Sequence, residues 1–194
     1  MNFTPWVVVI FQSLTAFAVA GLPLTKAAVE EPVLEETMGG CSLKCAFRWT
    51  AELAVPSGKS QILRPLFDES ARTAWVVGDD RKTSGIGTRI RLVFPARLAP
   101  EVEGTTPLYG LDLINGHWQE DLWEQYGRVK KLRLHYNGKP LQEITFADSR
   151  RWQRALFPDQ MVHSGDALTI EILEIYPGTK HGLALSEIVL QGAH

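Results

Sequence analysis

Val129-Lys130-Lys131-Leu132-Arg133-Leu134-His135-Tyr136-Asn137-Gly138-Lys139-Pro140-Leu141-Gln142-Glu143-Ile144-Thr145-Phe146 holds two β-rich runs joined by Asn-Gly. A tight primed turn needs positive φ at both central positions, and Asn followed by Gly supplies that at low steric cost. The stretch predicts an antiparallel hairpin, with Leu141, Ile144 and Phe146 on its returning arm.

Strand signals continue on both sides. Thr88 to Phe94 alternates, with Ile90, Leu92 and Phe94 on the inward face and Arg89, Arg91 and Val93 opposite. Ala167 to Tyr176 sets Leu168, Ile170, Ile172 and Glu174 against Thr169, Glu171, Leu173 and Ile175, and Gly182 to Leu190 gives a last strand. Pro95, Pro100, Pro107, Pro140, Pro158 and Pro177 are read at run ends, where a missing amide donor does least harm. Only Glu120 to Tyr126 carries the pattern of a short helical turn. Many short strands at close spacing predict an all-β fold, an antiparallel jelly-roll β-sandwich over residues 41–192.

The 194 residues are 45% hydrophobic and 22% charged, an ordinary globular balance that excludes wholesale disorder. A formal charge of −2 leaves no basic excess to hold a nucleic-acid backbone and no polybasic run for an anionic membrane. Met1 to Ala20 carries no charged side chain, and Ala18 and Ala20 make a small-x-small pattern with Gly21 next. The segment reads as a secretory signal peptide, although no Lys or Arg precedes its apolar run. The run is too short and interrupted to span a membrane comfortably, so no integral span is expected in the mature chain. Residues 21–40, with Glu30, Glu31, Glu35 and Glu36, read as an acidic flexible linker. In a secreted, periplasmic or envelope setting, Cys41 and Cys45 would close a small disulfide loop; metal ligation and free thiols are the alternatives.

Catalytic and nucleotide-binding patterns fail on inspection. Pro56-Ser57-Gly58-Lys59-Ser60 ends like a phosphate loop, but Leu53 stands where its first glycine is required. Gly85-Ile86-Gly87 lacks a third glycine and leads into a strand. His117, His135, His163, His181 and His194 share no metal-ligand spacing, and no Gly-x-Ser-x-Gly elbow exists. The adjacent carboxylates Glu120 and Asp121 read as a solvated loop rather than an acid–base pair. The chain is expected to be no enzyme.

Two segments remain. Leu66-Phe67-Asp68-Glu69-Ser70-Ala71-Arg72-Thr73-Ala74-Trp75 is an acidic turn closed by Thr-Ala-Trp, pinned by its own polar groups and anchored by a core indole at Trp75. Gly116 to Tyr126 places Trp118, Trp123 and Tyr126 in a polar loop. Loops usually shed large aromatics unless the rings pack locally or meet a ligand. Two readings follow: the rings fold back over the sandwich end, or at least one faces a ligand. An indole or phenol face can stack on the C–H face of a sugar while neighbouring Asn or His side chains bond its hydroxyls. The candidate glycan-binding set is Asn115, His117, Trp118, Trp123 and Tyr126.

Several stretches together carry a resemblance. They are Leu66 to Trp75, Gly85-Ile86-Gly87 with Ile90 and Leu92, Ile114-Asn115-Gly116, Arg128-Val129-Lys130 with Leu132 and Leu134, Leu168 to Gly178, and Leu185-Ser186-Glu187-Ile188. In order and spacing the chain resembles a discoidin-like, galactose-binding-type jelly-roll module, and within that class the glycan-binding or translocation domain attached to bacterial NAD glycohydrolase. Two departures lie in the candidate loop: Gly127 stands where the family tends to have Asn before Arg-Val-Lys, and His117-Trp118 replaces a short aromatic after Asn-Gly. NAD cleavage in such proteins belongs to a separate catalytic domain, for which this chain has no room.

The resemblance implies a non-catalytic module binding a glycan or glycosylated surface; a protein-interaction domain or a purely structural β-sandwich without glycan binding is the competing class. It also implies a structural Ca²⁺ beside the acidic turn, held by Asp68 and Glu187 carboxylates and by Ser70 and Thr73 oxygens. Those are the hard ligands that Ca²⁺ takes. Glu69 departs from the Gly often found there. The alternative is that Asp68 and Thr73 simply cap the turn.

Overall fold

A computed structural model of the chain describes residues 21–29, 43, 47–54, 63–77, 84–97, 106–180 and 182–192. The expected signal peptide and the Cys41–Cys45 pair lie outside them. Among the described residues the strands are β1 (Leu24–Lys26), β2 (Ala28–Val29), β3 (Phe47–Ala54), β4 (Trp75–Val77), β5 (Arg89–Arg97), β6 (Thr106–Asn115), β7 (Arg128–Tyr136), β8 (Lys139–Thr145), β9 (Trp152–Val162), β10 (Ala167–Tyr176) and β11 (Leu183–Gly192). One short helix, α1 (Glu120–Trp123), follows β6. The sheets run β1-β8-β7-β10-β5-β3 and β2-β9-β6-β11-β4, antiparallel throughout except where β1 lies parallel to β8. Among the described residues no helix is long and apolar enough to cross a membrane.

The two sheets close over one core. Ile90, Leu92 and Phe94 of β5, Leu132 and Leu134 of β7, and Leu168, Ile170 and Ile172 of β10 come from one side. Leu111 and Leu113 of β6, Phe157 of β9, and Leu185, Ile188 and Leu190 of β11 meet them from the other, beside the buried Trp75 of β4. On the opposite face of the larger sheet the alternation presents charges that pair across strands: Arg89 with Glu171 at 2.8 Å and Arg133 with Glu143 at 2.6 Å. The Asn137-Gly138 turn has φ of 49° and 77°, the primed geometry that the pair was read for.

Three expectations are corrected. Residues 21–29 do not begin a free linker, because β1 joins one sheet edge and β2 the other, with Ala27 buried between them. The buried side chain of Gln142 donates to Pro23 O (2.7 Å) and Thr25 Oγ1 (2.8 Å), so this strap satisfies a polar group of the sandwich. Pro95 and Pro158 lie inside strands rather than at their ends. The register slips at both, between Arg48 and Thr50 opposite Pro95 and between Leu108 and Gly110 opposite Pro158. A bulge is where a ladder tolerates a residue without an amide donor. Glu174 leaves the inward face of β10, since a slip between Ile172 and Glu174 reverses the alternation. Its carboxylate meets Lys130 at 2.8 Å outside, and Ile175 packs against the core.

Candidate functional site

The acidic turn brings Asp68, Ser70 and Thr73 together with Glu187, the four residues that the resemblance implies for a Ca²⁺ site. Thr73 Oγ1 lies 2.9 and 3.0 Å from the two carboxylate oxygens of Asp68, and the Ser70 amide donates at 3.0 Å both to Asp68 Oδ1 and to Glu187 Oε2. Glu187 comes from β11, 117 residues later, and is 1% exposed. Burial pushes its carboxyl up to about 8; the Ser70 amide opposes the rise and the neighbouring Asp68 charge adds to it. Glu69 has φ of 61°, the left-handed region that a Gly would occupy without strain. Hydrogen bonds within the turn therefore account for Asp68 and Thr73 as caps. The same place holds two carboxyl groups and two hydroxyl-bearing residues, oxygen donors of the hard kind that Ca²⁺ takes. Among the described residues no third acidic, His or Cys side chain joins them.

The aromatic loop leaves β6 at the same end. Asn115, 1% exposed, does not face outward. Its amide donates to Val129 O at 2.6 Å and accepts from Val129 N at 2.7 Å, bridging β6 of one sheet to β7 of the other. Each end of the side chain makes a bond inside the protein, and with its burial this sets Asn115 at the base of the loop rather than on its open face. Gly116 follows with φ of 76°, and a Cβ there would lie 2.6 Å from the Trp123 ring.

Trp123 packs inward against this glycine, and the Arg128 guanidinium lies 4.4 Å from its ring centroid. That guanidinium is gripped by both Asp148 oxygens (2.9 and 2.8 Å) and donates to Tyr126 O at 3.1 Å and Pro177 O at 3.3 Å. The pairing of Arg128 with Asp148 is not visible in the sequence, since nothing in Arg-Val-Lys distinguishes a buried clamp from a solvated strand end. The loop is fixed again by Thr179 N and Lys180 N, which donate to Glu124 O and Gln125 O.

His117, Trp118 and Tyr126 do come together. The His117 ring stacks between Trp118 (6.2 Å) and Tyr126 (5.9 Å), each at 21°. Trp118 is 38% exposed and its carbonyl accepts from Arg150 at 2.8 Å, which holds its backbone while the indole stays open. His117 Nδ1 accepts from the Gln119 amide at 3.2 Å, so the neutral ring carries its proton on Nε2. Partial burial lowers the His117 pKa, with the Asp121 charge opposing. The end of the sandwich thus offers one open indole, two rings stacked beside it and an imidazole N–H donor.

By fold the chain is similar to CpGH89CBM32-5 from Clostridium perfringens, solved in complex with GalNAc-β-1,3-galactose. That match has 14% identity and a TM-score of 0.51, covering 74% of this chain and 94% of that one. It is also similar to the CBM32-1 and CBM32-2 domains of Clostridium perfringens ZmpB in complex with GalNAc, at 11% identity and TM-score 0.53. There 89% of this chain is covered but only 41% of the other, so the chain spans less than half of that two-domain protein. No curated protein matches by sequence. Residues 42–191 match one family along nearly all of the sandwich, from just before β3 to the end of β11. With the jelly-roll fold, the acidic turn and the Arg-Val-Lys strand in place, the chain belongs to the NAD glycohydrolase translocation F5/8 type C domain family.

Proposed function

We propose that this chain is a non-catalytic module that binds carbohydrate through the aromatic loop at one end of the sandwich. The observation that carries the reading is Trp118, an exposed indole seated on a stacked His117–Tyr126 pair within a backbone fixed on several sides. A rigid open ring beside an N–H donor suits the C–H face and hydroxyls of a sugar. Trp123 supports the loop from beneath. Its neighbours by fold are carbohydrate-binding modules, two of them solved with GalNAc-containing ligands, which points the search first to such sugars.

The module is secreted or held in the cell envelope, delivered by cleavage after Ala20, and Cys41 and Cys45 form a disulfide ahead of β3. Asp68, Ser70, Thr73 and Glu187 hold a structural Ca²⁺ that joins the acidic turn to β11; their oxygens, two of them on a buried carboxylate, support this.

A glycan array probed with the chain from Gly21 onward, including GalNAc and GalNAc-β-1,3-galactose, tests the function. Binding abolished by Trp118→Ala supports the loop. Binding that survives Trp118→Ala and Trp123→Ala together overturns the site, and binding to no glycan favours a protein partner at this end.

A further inference from the structure

The acidic turn and the aromatic loop meet through two successive residues of β11. In β11, Leu185 pairs with Asn115 and Glu187 with Ile114, so Ser186 is an extra residue in the ladder. Such a bulge lets two successive side chains serve different neighbours. Glu187 reaches the Ser70 amide of the acidic turn. Ser186, fully buried, donates from Oγ to Gly116 O at 2.9 Å, at the first residue of the aromatic loop. That glycine is the one on which Trp123 rests.

We propose that Ser186 is a positioning residue through which the acidic turn sets the conformation of the aromatic loop. The inference rests on the glycan-binding reading only for its consequence, since a loop set in this way would make sugar affinity depend on the turn. A bulge can be held in place from one side by the Ser70–Glu187 contact and from the other by the Ser186–Gly116 contact. Loosening the first changes the backbone from which the second is made. Groups that share one network should show non-additive effects, whereas independent sites add.

Hydrogen exchange of the full chain in chelator provides the test, because it needs neither sugar nor metal. Ser186→Ala removes the donor to Gly116, and Thr73→Val removes the donor to Asp68 with little change of shape. Each should speed exchange across residues 116–126 by about tenfold. The double variant should go no further than Ser186→Ala alone, and the remote Asn137-Gly138 hairpin should keep its protection. Should Ser186→Ala fail to fold, Ser186→Cys, which keeps a weak donor, should give a smaller effect of the same kind. Wild-type exchange in the loop of the serine variant, additive effects in the double, or equal acceleration at the hairpin would each overturn the proposal. If the coupling is found but the array shows no sugar, the glycan reading falls and this inference stands.

Discussion

Asn115 grips Val129 by both its amide N–H and its carbonyl, with both side-chain hydrogen bonds made inside the protein at 2.6 and 2.7 Å. The contact ties the last residue of β6 to the second of β7 across the gap between the sheets. Asn115→Ala should therefore leave the buried backbone N–H and C=O of Val129 without these partners. A loss of about 2–4 kcal/mol is expected from two unsatisfied groups. Urea unfolding followed by fluorescence measures it, and an unchanged midpoint would show that water replaces the amide.

The two tryptophans of the loop should separate function from stability. Trp118→Ala, at an open ring, should abolish glycan binding while shifting stability by no more than about 0.5 kcal/mol. Trp123→Ala removes the ring under Arg128 and against Gly116, and should lower stability by about 1–3 kcal/mol. Paired melts and binding isotherms on the two variants check this division.

Calcium at the acidic turn would bind only the folded state and stabilise it by ~2.7 kcal/mol at a hundredfold excess over its Kd. Chelator should then lower the wild-type Tm, and Asp68→Ala should remove that sensitivity. If the turn is only capped, Asp68→Ala should lower stability by about 1 kcal/mol. The melts should then be identical with calcium and with chelator.

His117 predicts a dependence on acid. Burial lowers its folded pKa below the ordinary value of about 6.5, so the neutral ring is the form that the fold favours. Its contribution to stability is present above the unfolded pKa. It declines as pH falls below that value and levels off beneath the folded pKa. Protonation also puts a hydrogen on Nδ1, facing the Gln119 amide that now donates to it. Glycan affinity should weaken as the pH drops from 7 to 5. His117→Gln, followed by calorimetry over the same range, should flatten the profile.

The parts of the fold that were legible in sequence are those where one local rule acts alone. Ile90, Leu92 and Phe94 alternate with exposed or half-buried residues, and Asn137-Gly138 has few conformations other than the one it adopts. β6 and β9 were less visible, because Leu111, Asp112, Leu113 and Ile114 are all buried and Pro158 interrupts the other strand at a bulge. In the acidic turn a compact motif drew attention to Asp68 and Thr73, and Glu187 came with the resemblance. Asn115 misled, since an Asn at the start of an aromatic loop looks the same in sequence whether it faces a ligand or a strand. Arg128 and Asp148, 20 residues apart, could not be paired before the sheets were closed.

The strap formed by β1 and β2 gives this chain an order of assembly. Its contacts on Gln142 and Thr145 are made with residues 117 to 120 positions further along. During synthesis the first strand must wait for β8 and β9 to emerge, while the closure of so long a loop is opposed by chain entropy. Until then the β8 side of one sheet and the β9 side of the other have no cover and can accept a strand from another molecule. Yield on refolding should thus fall with protein concentration more steeply than for a sandwich closed by neighbouring strands.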